Sequence, residues 1–245
     1  MQHKKKVQKF SVTNKVDSNF MNSFLYHSIS NLFCSKSLNL GKILILIIIN
    51  LSALTLIAQK KANPWVFLNQ SDDISVYYRI SGNNVLRELK LITTSTAPLD
   101  LIASTLTNID STTKWAYLCK EVSIVKVISN VELYYYYVIK SPWPLNNRDL
   151  VIHMKVVQDS TTGIITINTQ NFDGLVAKKN DYVRIKKMTG KWVLTPLKNG
   201  LVKMEYYILL NPSGNIPVWI SNKAMGHFPI KSVIALKKIV EKRQE

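Results

Sequence analysis

The sequence predicts an α+β domain in which a curved antiparallel β-sheet packs around one long C-terminal α-helix. Two observations predict this fold class. From residue 74 to residue 210 the chain repeats short segments of alternating hydrophobic and polar residues, separated in several places by turns rich in glycine and asparagine, as antiparallel strands do. From Val218 to Lys242 the pattern is that of an amphipathic helix, with a predicted interruption at Pro229. A bent sheet needs cover on its concave face, and the terminal helix supplies it.

The predicted domain extends over residues 63–245 and shows no internal repeat. Its first long helix is indicated by Leu99, Ile102 and Leu106, which share one helical face. Thr189-Gly190 is predicted to be a turn between two strands. In chain order, the predicted elements are a short helix at Trp65–Leu68, strands at Ile74–Ile80 and Val85–Thr93, the helix at Pro98–Ile109, and strands at Glu121–Ser129, Glu132–Ile139, Asp149–Val157, Ile164–Asn168, Tyr182–Met188, Lys191–Pro196 and Val202–Leu210.

Two segments precede the domain. Residues 1–36 are polar and lack sustained periodicity, so we predict a disordered extension or a misassigned start. In residues 37–62, a lysine precedes a nearly continuous apolar run from Ile43 to Ala58, which has the form of an export signal. The run is at the short limit for a spanning helix, so a cleaved signal peptide, an N-terminal membrane anchor and a buried helix all stay open. The first two predict an exported, periplasmic or membrane-anchored domain that faces away from the cytoplasm.

The charge of the chain bears on its partners. The formal net charge is +17, of which the first 62 residues contribute +8 and the remaining residues +9. A basic domain is expected to make transient contact with anionic membrane surfaces, although an ordinary solvated surface explains the same charge. The lysines are scattered and are not interleaved with aromatic residues, so we predict no nucleic-acid partner. If the leader is removed, Cys119 is the only cysteine left, which fits either redox compartment.

The most specific stretch is Tyr134–Val151, which reads YYYYVIKSPWPLNNRDLV. The predicted strand from Val131 to Lys140 includes the start of this stretch. Its odd-numbered residues should face a core or cavity, because side chains alternate between the faces of a strand. Pro142 and Pro144 cannot donate to a ladder and end that strand. Arg148 has the parity of the inward-facing set in the following strand. The sequence therefore predicts a guanidinium that points inward, where it needs a partner.

Four segments together resemble the START family, the StAR-related lipid-transfer domains of the Bet v 1-like helix-grip superfamily. They are the Trp115 region, Tyr135–Val151, Tyr182–Pro196 and Val202–Trp219, and their order and spacing match from about Trp65 to the end of the chain. The resemblance implies a helix-grip fold with an internal cavity that holds one lipid or other hydrophobic small molecule. It also implies a binding protein, for transfer or sensing, that is not an enzyme. Separately, we predict a monomer with no cofactor.

Within this resemblance, the candidate ligand-binding residues are those of inward parity in the cavity-forming segments, and ordinary core packing is the alternative for each. They are Tyr135, Tyr137, Arg148, Leu150, Ile152, Met154, Met204, Tyr206 and Trp219. Arg148 and Asp149 match the Arg-Asp pair of the family. Two alternatives stay open. The two residues form a salt bridge that holds the start of the strand, or Arg148 binds the carboxylate or phosphate group of a ligand.

Two departures limit what the resemblance implies. In the phosphatidylcholine-transfer branch an arginine near the Trp115 region meets the lipid phosphate, whereas Thr112, Thr113 and Lys114 stand here, which puts phospholipid specificity in doubt. The sequence has no metal-ligand cluster, phosphate loop or nucleophile elbow, so we predict no metal and no catalytic residue. A polyketide-cyclase-like enzyme of the same superfamily and a basic membrane-facing module stay as alternatives. The helix beyond Pro229 is predicted to act as a lid.

Overall fold

The structure is a computed structural model that describes residues 63–80, 87–211, 213–214, 216 and 218–242, without the side chains of 218–225. The predictions for residues 1–36 and 37–62 lie outside the described residues. The elements are β1 (Val66–Ser71), β2 (Ile74–Ile80), β3 (Arg87–Ser95), α1 (Leu99–Thr107), a 3₁₀ turn (Ile109–Ser111), α2 (Thr112–Trp115), β4 (Cys119–Ser129), β5 (Glu132–Ile139), β6 (Arg148–Gln158), β7 (Ile165–Phe172), β8 (Val183–Arg184), β9 (Lys187–Pro196), β10 (Val202–Asn211) and α3 (Val218–Lys242).

These strands form a single curved sheet in the order β1-β2-β3-β10-β9-β7-β6-β5-β4, with the short β8 paired to β6. All the strand pairs are antiparallel except the one between β6 and β8. The sheet is open, with β1 and β4 at its edges, and α3 packs on its concave face. The predicted α+β helix-grip fold is therefore confirmed.

The main core lies between the concave face of the sheet and the helices. In β3 every second residue from Leu89 to Ser95 is buried, as expected of a strand with one covered face. From α3, Val233, Leu236 and Val240 are at most 1% exposed, and their spacing places them on one helical face. Burying each such aliphatic side chain contributes roughly 1.5–3 kcal/mol. The second half of α3 is thus firmly packed.

A smaller second cluster lies on the opposite, outer face of the sheet. Tyr136, Val138 and Val151 are buried there, with Val176 and Tyr182 packed against them. The alternation in β5 predicts correctly that Tyr136 and Val138 point away from the main core. They are nevertheless buried because the segment between β7 and β8 folds over them, which the strand pattern alone does not reveal.

Three predicted elements are wrong. Trp65–Leu68 is not helical, because β1 pairs with β2 along the sheet edge. Thr189-Gly190 is not a turn, because both residues lie inside β9. A Cβ atom at Gly190 would come within 2.4 Å of the Thr169 Oγ1 atom, so glycine permits the close approach of β9 to β7. The predicted strand at Tyr182–Met188 divides, with Val183–Arg184 pairing to β6 and β9 beginning at Lys187.

The helix α3 continues through Pro229 without the predicted interruption. Beyond Pro229, its polar side also binds the sheet. Lys237 forms an ion pair with Asp73 and lies 3.3 Å from the Thr93 hydroxyl, and the Ser95 hydroxyl donates to the Glu241 carboxylate at 2.9 Å. These contacts, with the buried aliphatic side chains of the same half, argue against the segment beyond Pro229 as a lid.

We expect Asp73→Asn to lower the free energy of unfolding at neutral pH by less than about 1 kcal/mol, because Asp73 is half-exposed. Burial alone would raise the pKa of Asp73, but hydrogen bonds from Lys237 and Thr93 outweigh it and lower the pKa below 3.8. Since the native pKa is below the unfolded one, this stabilisation is complete above the unfolded pKa and is lost as pH falls through the native pKa. Urea denaturation of both proteins across acid pH measures it, and a difference that persists in strong acid would contradict it.

Candidate functional site

A cavity of about 300 Å³ lies between the concave face of the sheet and the helices. Its wall is mainly apolar and comes from β5, β6, β7, β9 and β10, from α2 and the turn after it, and from the middle of α3. This volume is at the lower end of the range of about 300–1,000 Å³ typical of small-molecule sites. The site has the size and polarity of a pocket for one hydrophobic ligand.

Seven of the nine predicted ligand-binding residues border this cavity, and their contact with a ligand stays a prediction. They are Tyr135, Tyr137, Arg148, Leu150, Ile152, Met154 and Tyr206. Met204 is 1% exposed and does not border it. Although Met204 shares a face with Tyr206, it pairs with Leu194 and Thr93, where α3 fills the space. Trp219 lies in the first turn of α3, and its side chain is outside the described residues.

Two groups of aromatic rings form part of the cavity wall. The Trp115 ring meets the Trp192 ring edge to face at 6.5 Å between centroids, and Trp192 stacks on Tyr206 at 4.2 Å. Tyr135 and Tyr137 form a second edge-to-face pair at 6.5 Å. Sequence reasoning missed Trp192 as a cavity residue, although the inward parity of β9, shared with Leu194, carried the signal. Trp115 was noted only as part of a motif.

The cavity tyrosines are neutral donors and acceptors. Burial raises the pKa of Tyr135, Tyr137 and Tyr206 well above the ordinary value of 10, and the neighbouring Cys119 raises that of Tyr137 further. Burial also raises the pKa of the Cys119 thiol. A raised pKa of an acid means that the site disfavours negative charge. These hydroxyl groups therefore stay protonated and can orient a ligand by neutral hydrogen bonds.

Arg148 points inward as predicted, and it is 6% exposed. Its Nη1 donates to the Ser141 hydroxyl at 3.0 Å and to the Asn146 carbonyl at 2.6 Å, which stabilises the loop that joins β5 to β6. Burial lowers the pKa of Arg148, but an arginine remains charged at physiological pH. The guanidinium thus borders the cavity while part of its hydrogen-bonding capacity is used by the loop.

The predicted salt bridge between Arg148 and Asp149 does not form at the start of this strand. Successive residues point to opposite faces of a strand, so Asp149 lies on the outer face, where it is fully buried. Arg184 binds it through two hydrogen bonds of 2.9 Å, and the Tyr136 hydroxyl donates to it at 2.9 Å. Arg148 and Asp149 therefore do not pair, and Asp149 has a structural position outside the cavity.

The turn after α2 and the middle of α3 meet beside the cavity. The Tyr117 ring lies 5.5 Å from the Phe228 ring, and its backbone N–H donates to the Ser232 hydroxyl at 2.9 Å. All three residues border the cavity, as do Ser141 and other residues of the loop between β5 and β6. These contacts join the turn after α2 to the middle of α3 beside the cavity.

The matching family model extends over residues 50–244 and describes a START domain. The chain belongs to the START domain family. A further relative of this START domain is an uncharacterized protein of Pseudomonas aeruginosa, 24% identical over 182 residues, which covers 74% of this chain and 89% of that protein.

Solved structures also resemble the START domain described here. A STAR-related lipid transfer protein from Xanthomonas axonopodis is 26% identical, and the match covers 72% of this chain and 98% of that one with a TM-score of 0.67. Human StAR-related lipid transfer protein 5 is 16% identical, and the match covers 80% of this chain and 94% of that one with a TM-score of 0.69. The human protein supports the fold alone, whereas the family match also supports the general property of START domains, which is binding of a lipid or hydrophobic ligand.

Proposed function

We propose that this START domain binds one lipid or other hydrophobic small molecule in the cavity and transfers or senses it. The observation that carries the proposal is a cavity of about 300 Å³ with a mainly apolar wall and a few polar groups, which is the composition of sites for hydrophobic ligands. Native mass spectrometry of the purified protein, followed by solvent extraction, tests it. A bound lipid is expected, and a protein that stays empty and takes up no lipid class would overturn it.

The cyclase-like alternative receives less support from the site. General acid–base catalysis is most efficient when the pKa of the catalytic group lies near the operating pH. Among the described residues that border the cavity there is no histidine or carboxylate, and the cavity tyrosines have raised pKa values. His153 lies on the outer face, 2.8 Å from Glu132. We therefore propose a binding domain rather than an enzyme.

We also propose that the domain is an exported monomer and that the cavity opening docks on anionic membranes. Trp143 is 93% exposed in the loop between β5 and β6, whose residues Ser141 and Leu145 border the cavity. Lys140 and Lys231 are exposed. Lys140 borders the cavity, and Lys231 lies at 4.5 Å over the ring of Tyr117, which also borders it. An exposed indole with flanking cations suits an anionic lipid surface. Among the described residues, no helix has the length and apolar character required to cross a bilayer.

We expect Trp143→Ala to weaken binding to vesicles that contain anionic lipid by at least about tenfold, because burial of a large apolar side chain contributes roughly 1.5–3 kcal/mol. Vesicle co-sedimentation at several salt concentrations measures this, and higher salt should weaken binding further by screening the lysines. The matched control is Phe172→Ala, which removes a partly exposed ring from the outer face of β7. Equal losses in the two variants would contradict docking through the cavity opening.

A further inference from the structure

The buried guanidinium of Arg148 has no counter-ion in the part of the chain that the structure describes. Arg148 is 6% exposed, and no described carboxylate forms an ion pair with it. The adjacent Asp149 is bound by Arg184 on the opposite face of the sheet. A charge that is removed from water is costly unless it is paired. Because Arg148 borders the cavity, a ligand there could provide the missing anion.

One edge of this guanidinium is free. Its Nη1 donates to the Ser141 hydroxyl and to the Asn146 carbonyl, whereas its Nε and Nη2 form no hydrogen bond with any described residue. Both free atoms keep surface that solvent can reach, because the one enclosed side-chain nitrogen or oxygen without a partner among the described residues is Trp115 Nε1. Since the loop holds Nη1 and the residue borders the cavity, the Nε–Nη2 edge is the part of Arg148 available to a ligand.

The same edge of another arginine in this protein shows what the geometry binds. The Nε and Nη2 atoms of Arg184 donate to the two carboxylate oxygens of Asp149, each at 2.9 Å. This paired arrangement fits a planar carboxylate and adds geometric specificity to the attraction between the charges. The free edge of Arg148 has the same two donors, so it matches a carboxylate group in the same way.

The charges of the cavity wall lie at one end of β6. Lys140 also borders the cavity, and it follows Ile139, which pairs with Arg148. Among the described residues that border the cavity, Arg148 and Lys140 are the charged ones, and both are cations. The inward-facing residues of β6 continue from Arg148 through Leu150 to Met154 over about 20 Å, at roughly 3.3 Å per residue. The cavity is therefore cationic at one end and apolar along this strand.

The environment of the cavity tyrosines is consistent with this separation. Tyr137 pairs with Leu150 and Tyr135 pairs with Ile152, so both lie beyond Arg148 along the apolar part. Burial raises the pKa of both hydroxyls, and no cation lowers it. A negative charge is thus disfavoured beside these tyrosines, whereas a carboxylate beside Arg148 would have a cationic partner.

We propose that the cavity ligand is a long-chain carboxylate and that the Nε and Nη2 atoms of Arg148 donate two hydrogen bonds to its head. This inference rests on the proposed function and adds a ligand class to it. An uncharged lipid leaves the guanidinium without a counter-ion, whereas a carboxylate neutralises it and places its hydrocarbon chain along the apolar wall. Arg148 is thereby the residue that determines specificity for the head group.

The test compares hexadecanoate with hexadecanol, which has the same carbon number and no charge, by displacement of a fluorescent lipid probe. The wild-type protein is expected to prefer hexadecanoate. Arg148→Gln removes the charge and the paired donors, so it should reduce the ratio of hexadecanoate to hexadecanol affinity by about ten- to a hundredfold and leave hexadecanol binding nearly unchanged. Arg87→Gln makes the same change at the start of β3, over the Tyr78 ring and outside the cavity wall, and should leave the ratio unchanged.

The possible outcomes separate this inference from the proposed function. The inference is overturned, and the binding function left intact, if the wild-type protein binds the acid and the alcohol equally, if it binds hexadecyl phosphate more tightly than hexadecanoate, or if Arg148→Gln keeps the full preference. Failure of the wild-type protein to bind any of these lipids, or any lipid class, overturns both.

A second measurement decides if Arg148→Gln does not fold. NMR of the wild-type protein with hexadecanoate labelled at its carboxyl carbon follows the ionisation of the bound head group. The adjacent guanidinium should give the bound carboxyl group a lower pKa than the same acid has in phosphatidylcholine vesicles. An equal or higher pKa in the protein overturns the inference.

Discussion

Asp149→Asn should lower the free energy of unfolding by about 3–5 kcal/mol, the cost typical of leaving one member of a buried ion pair uncompensated. Asp149 is fully buried and Arg184 is 8% exposed, and the two side chains are joined by two hydrogen bonds. Asparagine keeps the shape of the side chain but removes its charge. The guanidinium of Arg184 would then be buried without a counter-ion. Urea denaturation monitored by circular dichroism measures the loss.

The effect should extend to the outer face of the sheet. Arg184 also donates to the carbonyl groups of Val176 and Ala177, both at 3.1 Å, and so holds the segment that covers the second cluster around Tyr136. We therefore expect amides of that segment to exchange faster in the Asp149→Asn variant. This extension would distinguish the loss of a local anchor from a uniform loss of stability.

A surface ion pair provides the matched comparison. Lys203 lies 3.0 Å from Glu205 on β10, and its side chain is 37% exposed. Lys203→Met should change the free energy of unfolding by less than about 1 kcal/mol, because exposed ion pairs contribute little. If Asp149→Asn costs no more than Lys203→Met, the buried pair does not have the role assigned to it.

Prediction from the sequence succeeded where a local pattern determined the structure. The alternation of β5 and β6 placed Tyr135, Tyr137 and Arg148 on the inner face, since a strand has a fixed period of two. It failed where distant segments decide the outcome. The partner of Asp149 is a residue 35 positions away, and the strand conformation at Gly190 depends on the approach of β7.

The alternation of side chains along a strand also could not distinguish residues of the core from residues that border the cavity. Met204 and Tyr206 have the same inward parity on β10, yet Tyr206 borders the cavity and Met204 does not. Which of them meets empty space depends on how far α3 fills the concave face. At the Met204 end, the hydroxyl of Thr93 accepts a hydrogen bond from Lys237 of α3. The middle of α3 instead borders the cavity at Phe228. Helix position is a tertiary property that strand periodicity does not contain.

Because the cavity is open space, filling it with a larger side chain directly tests whether the ligand binds there. Leu150→Trp should reduce ligand binding by more than tenfold while the fold is retained. Leu150 is 1% exposed and borders the cavity, so an indole there would extend into volume that the ligand needs. Overpacking a filled core costs about 1–3 kcal/mol, but a cavity of about 300 Å³ leaves room for the larger ring.

Two further variants make this result interpretable. Lys155→Trp introduces the same side chain on the outer face of β6, where Lys155 is 54% exposed, and it should leave lipid uptake unchanged. Ile208→Trp fills the cavity from β10 instead, and it replaces Leu150→Trp if that variant does not fold. Native mass spectrometry gives the occupancy, and thermal unfolding shows whether the fold persists. A folded, cavity-filled variant that carries as much lipid as the wild-type protein would place the ligand elsewhere and refute the cavity as the binding site.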